Sequence, residues 1–145
     1  MDHGKADIQG LVKVFGMIRG SLDYFAHKYD LSLTEMGIVF DIFAKGSMTV
    51  TQLSAQQGIP KSTVSRLVDV LVKRGMLNRE RPEDNRRIVQ ITITREFQAE
   101  MDHLKDDAAF QQVMERDLPR EKGQLAIKKL GELLDILQDE QEMDG

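Results

Sequence analysis

Between Met48 and Thr94 the apolar residues recur first with the period of a helix and then with the period of a strand, with glycine or proline at the boundaries. Thr49 and Gln52 have the spacing of a capping box, in which each side chain satisfies the other residue's backbone N–H. They open a short helix through Leu53 that Gly58 stops, because glycine takes the left-handed angles of a helix end without steric cost. Gly58, Ile59 and Pro60 then make a tight connection. A second helix runs from there to Arg74 with Val64, Leu67, Val68 and Leu71 as its apolar stripe, and Gly75 terminates it. After Gly75 the period is two: Val89, Ile91 and Ile93 alternate with Gln90, Thr92 and Thr94, the pattern of a half-buried strand, and Leu77, Arg79 and Arg81 mark its partner. The polar segment from Pro82 to Arg87 is too long for a two-residue hairpin and carries two adjacent arginines.

Two short helices, a glycine turn and a charged hairpin in this order predict a winged helix-turn-helix. The flanks are helical. From Asp7 to about Tyr29, Ile8, Leu11, Val12, Phe15, Ile18, Leu22 and Phe25 recur at steps of three and four. Ser32 and Glu35 form another capping box ahead of Met36, Val39, Phe40 and Phe43, a second helix that ends at Gly46. Phe97, Met101, Leu104 and Ala108 predict a fifth helix, capped by Thr94 and ending near Asp117. Pro119 starts a sixth, with Leu125, Leu130, Leu133, Leu134 and Leu137 as its stripe and an acidic tail from Asp139. The expected fold class is mainly α with a small β-wing: a DNA-binding lobe at 31–94, flanked by a helical dimerisation region at 1–30 and 95–145. Helices one, five and six carry more apolar residues than the small middle segment could cover, which calls for a second copy.

A formal net charge of -4 argues at first against nucleic acid, since duplex binding rests on neutralising phosphates. Its distribution reverses the argument. From Pro60 to Arg95 there are nine basic residues against four acidic ones, a local +5, while the remainder carries 11 basic and 20 acidic residues, or -9. Lys61, Ser62, Thr63, Ser65 and Arg66 open the second helix of the motif with the residue types that meet major-groove base edges and phosphates. Arginine takes a guanine edge bidentately, hydroxyls reach bases or phosphates, and a threonine methyl meets the thymine methyl. Asn85, Arg86 and Arg87 suit phosphate contacts or a narrow minor groove.

With these residues in view, the chain resembles the MarR family of winged-helix regulators. The resemblance rests on Thr51 to Ser54, Thr63 to Val68, Arg74, Gly75, Leu77, Asn85 to Arg87 and Ile91 to Thr94. It implies a homodimer with interlocked first, fifth and sixth helices, two recognition helices in successive major grooves, and repression of transcription. It also implies control by a small-molecule effector. In the family's wing an Asp, any residue, Arg motif stands at a spacing that lands here on Asn85 and Arg87, with Asp84 one place early. Either Asn85 substitutes a neutral hydrogen-bonding group, or the turn is remodelled so that Asp84 pairs with Arg86; the main wing contact is accordingly Arg87 or Arg86. Pro60 also replaces the serine common at that helix start.

Other classes have less support. There is no glycine-rich phosphate loop, no nucleophile elbow and no acid and base pair, so the chain reads as a non-enzyme. Cysteine is absent, and His27 and His103, even with Asp30 or Asp107, lack dense metal-ligand spacing. No metal or cofactor is expected, a metal-responsive relative being the alternative within the family. Phe15, Met36, Phe40 and Phe43 read as core, so no residues are assigned to an effector. A winged helix used only for protein contacts would not need Arg66, Arg86 and Arg87. With no long apolar segment at the N-terminus and none able to span a bilayer, the expected location is the cytoplasm and no membrane is involved.

Overall fold

The two capping boxes fix where the second and third helices begin. Ser32 Oγ accepts the Glu35 N–H at 3.1 Å while Glu35 Oε1 accepts the Ser32 N–H at 3.0 Å. Thr49 and Gln52 make the same exchange at 3.1 and 2.9 Å. The computed structural model describes residues 3–117, 121–122, 125, 128–133 and 135–136. Its elements are α1 (His3–Tyr29), α2 (Leu33–Lys45), α3 (Val50–Gln57), α4 (Lys61–Lys73), β1 (Leu77–Glu80), β2 (Gln90–Ile93), α5 (Arg95–Asp102), a 3-10 turn (His103–Asp106) and α6 (Ala108–Asp117). This is the expected mainly α fold with a small β-wing. Two compact units emerge, one of residues 25–106 and one of 1–24 with 107–145.

In the 25–106 unit α3 and α4 end on left-handed glycines. Gly58 sits at φ +67° and Gly75 at φ +76°. At Gly75 the Met76 N–H reaches back to the Leu71 carbonyl and the Gly75 N–H to that of Val72, both at 3.0 Å, which closes α4 with a Schellman turn. The chain is thereby aimed into β1, which pairs antiparallel with β2 in the register Leu77↔Ile93, Asn78↔Thr92, Arg79↔Ile91 and Glu80↔Gln90. Met48 adds a rung on the other side of β2, giving its N–H to the Ile91 carbonyl at 3.1 Å and accepting the Ile91 N–H at 2.7 Å. A one-residue bridge leaves no period in the sequence. Ile38, Val39 and Ile42 of α2, Leu53 of α3, Val64, Val68 and Leu71 of α4, and Leu77 and Ile91 of the strands are fully buried together as the core. Phe25 packs on Tyr29 and Phe40 at ring separations of 4.7 and 5.0 Å, and Tyr29 meets Phe97 edge-on at 5.1 Å.

Two polar junctions close this unit. Arg74 donates to the terminal carbonyls of α1, those of Tyr29 and of Asp30 (2.9 Å to the latter), and lies 4.0 Å from the Glu35 carboxylate. It supplies the donors that a helix C-terminus lacks. Thr94, itself buried, gives its N–H to the Met76 carbonyl at 3.0 Å and its hydroxyl to the Gly75 carbonyl at 2.7 Å, and accepts the Phe97 N–H at 3.1 Å as N-cap of α5.

The fifth helix departs from expectation. It does not run unbroken from Thr94 to Asp117; α5 stops at Asp102, the 3-10 turn follows, and Asp107 starts α6 by accepting the Phe110 N–H at 3.1 Å. Aspartate offers the backbone an acceptor that competes with helix continuation and favours a new N-terminus, whereas the apolar period runs on through the break. In the second unit Asp107 also accepts the Tyr24 hydroxyl at 2.7 Å, and the Ser21 hydroxyl meets the Met114 sulfur at 3.1 Å. Of the expected sixth helix, Pro119, Leu134 and Leu137 lie outside the described residues, while 121–122, 125, 128–133 and 135–136 are helical. Among the described residues no helix is long and apolar enough to cross a membrane.

Thr94→Val keeps the side chain's shape but leaves the Gly75 carbonyl and the Phe97 N–H without their partner. We expect a loss of about 2 kcal/mol in a guanidinium titration with an unchanged slope, most of it restored by Thr94→Ser. A midpoint within error of wild type would show that the hydroxyl does not hold the junction.

Candidate nucleic-acid interface

The α3–α4 turn is rigid because its polar groups are satisfied locally. The Ser54 hydroxyl donates to the Ile59 carbonyl at 2.5 Å, and the Gly58 and Ile59 N–H groups converge on the Ser54 carbonyl at 2.9 and 3.3 Å. Behind it Gln57 donates to the Asp41 carboxylate of α2 at 2.5 Å. Gln57 lies close over Gly37, where a Cβ would stand 2.6 Å from Gln57 Oε1 and the amide would have to shift. Pro60 stands at the N-cap of α4 with no side-chain hydrogen bond, so the first-turn N–H groups have no side-chain acceptor.

With Val64, Val68 and Leu71 turned into the core, a helix of 3.6 residues per turn directs Ser62, Arg66, Asp69 and Lys73 outward as one stripe. All four are exposed, as is Lys61, while Thr63 and Ser65 are half-buried at the stripe's margins. Of the five α4 residues singled out from the sequence, Ser62 and Arg66 thus lie on the outward stripe.

The wing is held by its own backbone. The Asn85 N–H donates to the Pro82 carbonyl at 3.2 Å, the Ile88 N–H to the Asn85 carbonyl at 3.3 Å, and the Arg87 N–H to Asn85 Oδ1 at 3.3 Å. Asparagine closes such a two-residue loop through its side-chain oxygen without adding charge. Across the hairpin Arg81 Nη1 donates to the Arg86 carbonyl at 2.8 Å. Asn85, Arg86 and Arg87 are exposed, and among the described residues no ion pair joins Asp84 to Arg86.

The basic residues of the segment therefore divide by role. Arg74 is taken up by the end of α1, Arg81 by the wing, and Arg79 by α4: its guanidinium lies 2.5 Å from the Asp69 carboxylate and 3.4 Å from the Ser65 carbonyl. The last pair was not anticipated from the sequence. Its signal was there: Asp69 is the one acid between Lys61 and Lys73, on the same helical face as two cations.

The other residues considered are placed differently. Met36 is buried and Phe40 packs on Phe25, while Phe15 and Phe43 are 56% and 54% exposed. Asp107 is engaged by Tyr24 and Phe110, and among the described residues no group of three His, Cys, Asp or Glu is gathered for a metal.

The family model of the MarR family matches residues 31–89. Among curated proteins, the uncharacterized HTH-type transcriptional regulator YhbI of Bacillus subtilis is 31% identical over 75 residues, 52% of this chain and 49% of that protein. The chain thus spans about half the length of that relative. A solved MarR family transcriptional regulator from Silicibacter pomeroyi superposes with a TM-score of 0.61 at 22% identity, covering 95% of this chain and 91% of its own. The structure of BpsR from Bordetella bronchiseptica, described for the regulation of its DNA binding by 6-hydroxynicotinic acid, aligns over 93% of each chain with a TM-score of 0.51 at 15% identity. These structural likenesses establish the fold.

Arg81→Met keeps the aliphatic stem and removes the donor to the Arg86 carbonyl. Amide exchange should quicken from Arg86 to Ile88 while global stability stays within about 0.5 kcal/mol of wild type, since the site is exposed. Unaltered exchange would mean that the wing does not depend on this brace.

Proposed function

We propose that this chain, which belongs to the MarR family through residues 31–89, is a cytoplasmic homodimeric transcription regulator that binds a pseudo-palindromic DNA operator, represses from it and releases it on binding a small molecule. The observation that carries the reading is the outward stripe of α4, with Ser62 and Arg66 beyond a buried apolar face, beside a wing that exposes Arg86 and Arg87. Arg66 is suited to a guanine edge, Ser62 and the half-buried Thr63 and Ser65 to bases or phosphates at close approach, and Lys61 to the backbone. The uncapped N–H groups of α4 are further donors for phosphate. Asn85 shapes the wing, whose two arginines serve the adjacent backbone or minor groove.

The homodimer is supported by apolar side chains left in solvent on the helical flanks. Ile8, Val12 and Phe15, one stripe of α1, are 64%, 63% and 56% exposed, and Leu125, Leu133 and Ile136 are 53%, 58% and 57% exposed. A two-fold interface would cover them and set two recognition helices about one turn of DNA apart. Effector control is supported by the family and by BpsR, whose DNA binding 6-hydroxynicotinic acid regulates. Such control requires the effector to favour one of two states of the protein.

Selection of bound duplexes from a random pool should enrich a pseudo-palindrome, and Arg66→Ala should weaken binding to it by about 1–3 kcal/mol with relaxed preference at one position per half-site. No enrichment at low salt would sink the reading. Sedimentation at micromolar concentration should give a dimer; a monomer there would remove the two-fold part of the proposal.

A further inference from the structure

We infer that Asp69 is a specificity-determining residue of α4, which keeps affinity for unrelated DNA low by holding Arg79 off the phosphates. The inference rests on the DNA-binding reading above. On the outward stripe Asp69 follows Arg66 by three residues and precedes Lys73 by four, the spacings at which side chains on a helix surface are neighbours. It is an exposed anion in the middle of the face proposed to meet a polyanion. Its partner comes from another element: Arg79 of β1 lies 2.5 Å from its carboxylate, and the same guanidinium reaches the Ser65 carbonyl one helical turn earlier.

This arrangement has two consequences for binding. An arginine at the edge of the reading face, free, would take a phosphate of any sequence and strengthen every complex alike, because phosphate contacts carry no base information. Paired with Asp69 it adds no such contact. The paired carboxylate and guanidinium meanwhile leave the middle of α4 close to neutral, without attraction for phosphate, so the helix gains from DNA only where base edges satisfy its other side chains. Both effects lower the common, sequence-independent part of the affinity and leave the sequence-dependent part.

The coupling between the two residues is the test. Fluorescence anisotropy of the full chain is measured across a salt series on a random-sequence duplex and on the duplex enriched from the pool. Asp69→Asn should tighten binding to the random duplex several-fold and steepen its log affinity against log salt slope by about 0.9 per protomer, one new phosphate contact. Arg79→Gln in the wild-type background should weaken binding, because Asp69 is left as an unpaired anion facing the duplex, without flattening that slope, since Arg79 makes no phosphate contact there. In the Asp69→Asn background the same substitution should bring the slope back to that of wild type. The inference is overturned if Arg79→Gln flattens the slope equally in both backgrounds, which would put Arg79 on phosphate already, or if Asp69→Asn leaves the slope unchanged. Should wild type bind neither duplex at low salt, the DNA-binding reading fails first and this inference with it. Should Asp69→Asn fail to fold by circular dichroism, the slope of Arg79→Gln alone decides.

Discussion

The unit of residues 25–106 depends on the hydroxyl of one buried residue. Thr94 stands where the end of α4, the return strand of the wing and the start of α5 meet, and it satisfies backbone groups just past α4 and at the start of α5. Its hydroxyl serves the Gly75 carbonyl and the Phe97 N–H, while its own N–H serves Met76. Buried backbone groups that lose water need such partners, and here a single side chain provides two of them. Valine would fit the space as well and would bring β2 back just as readily, yet it would cap nothing. The direction in which the wing leaves α4 is thus set by hydrogen bonds at its base, and the tip is free to be polar.

Much of the local positive charge serves the same end. Arg74, Arg79 and Arg81 each turn their guanidinium to protein oxygens, at the end of α1, on α4 and across the hairpin. Arginine suits these places because it presents several donors in a fixed plane and stays charged. The excess of cations between Pro60 and Arg95 is therefore part scaffold and part exposed surface. Composition cannot separate the two, since both need the same residue type; the neighbours decide.

What could be read from the sequence follows the range of the interactions. The capping boxes at Ser32 and Thr49, the stops at Gly58 and Gly75, and the helix-to-strand change near Leu77 all depend on residues within one turn of each other, and they form where the spacing placed them. The break in the fifth helix was hidden because its apolar stripe continues from Phe97 past Leu104, while Asp107, whose side chain restarts the helix and accepts from Tyr24, looks in sequence like any surface acid. Met48 was hidden for the opposite reason: one residue cannot show a period, and its strand-like pairing needs Ile91, far along the chain. The wing's register is legible in the sequence only as alternatives; in the fold the Asn85 side chain accepts the Arg87 N–H.

The candidate site was legible in its residue types and less so in its balance of charge. Residues 61–66 suggest the reading helix proposed above because small polar and basic side chains gather at a helix start, but the same eye for positive charge passes over Asp69 as background. In the fold it lies between Arg66 and Lys73 on the outward face with Arg79 drawn onto it. A regulator must reject the great excess of unrelated DNA as well as bind its site, and added cations strengthen both complexes together. On the proposed reading, an anion placed among the cations would act on the difference between them. On that reading the net charge of -4 is no puzzle beside the basic segment: a chain sparing with free positive charge would rely the more on base contacts for its affinity.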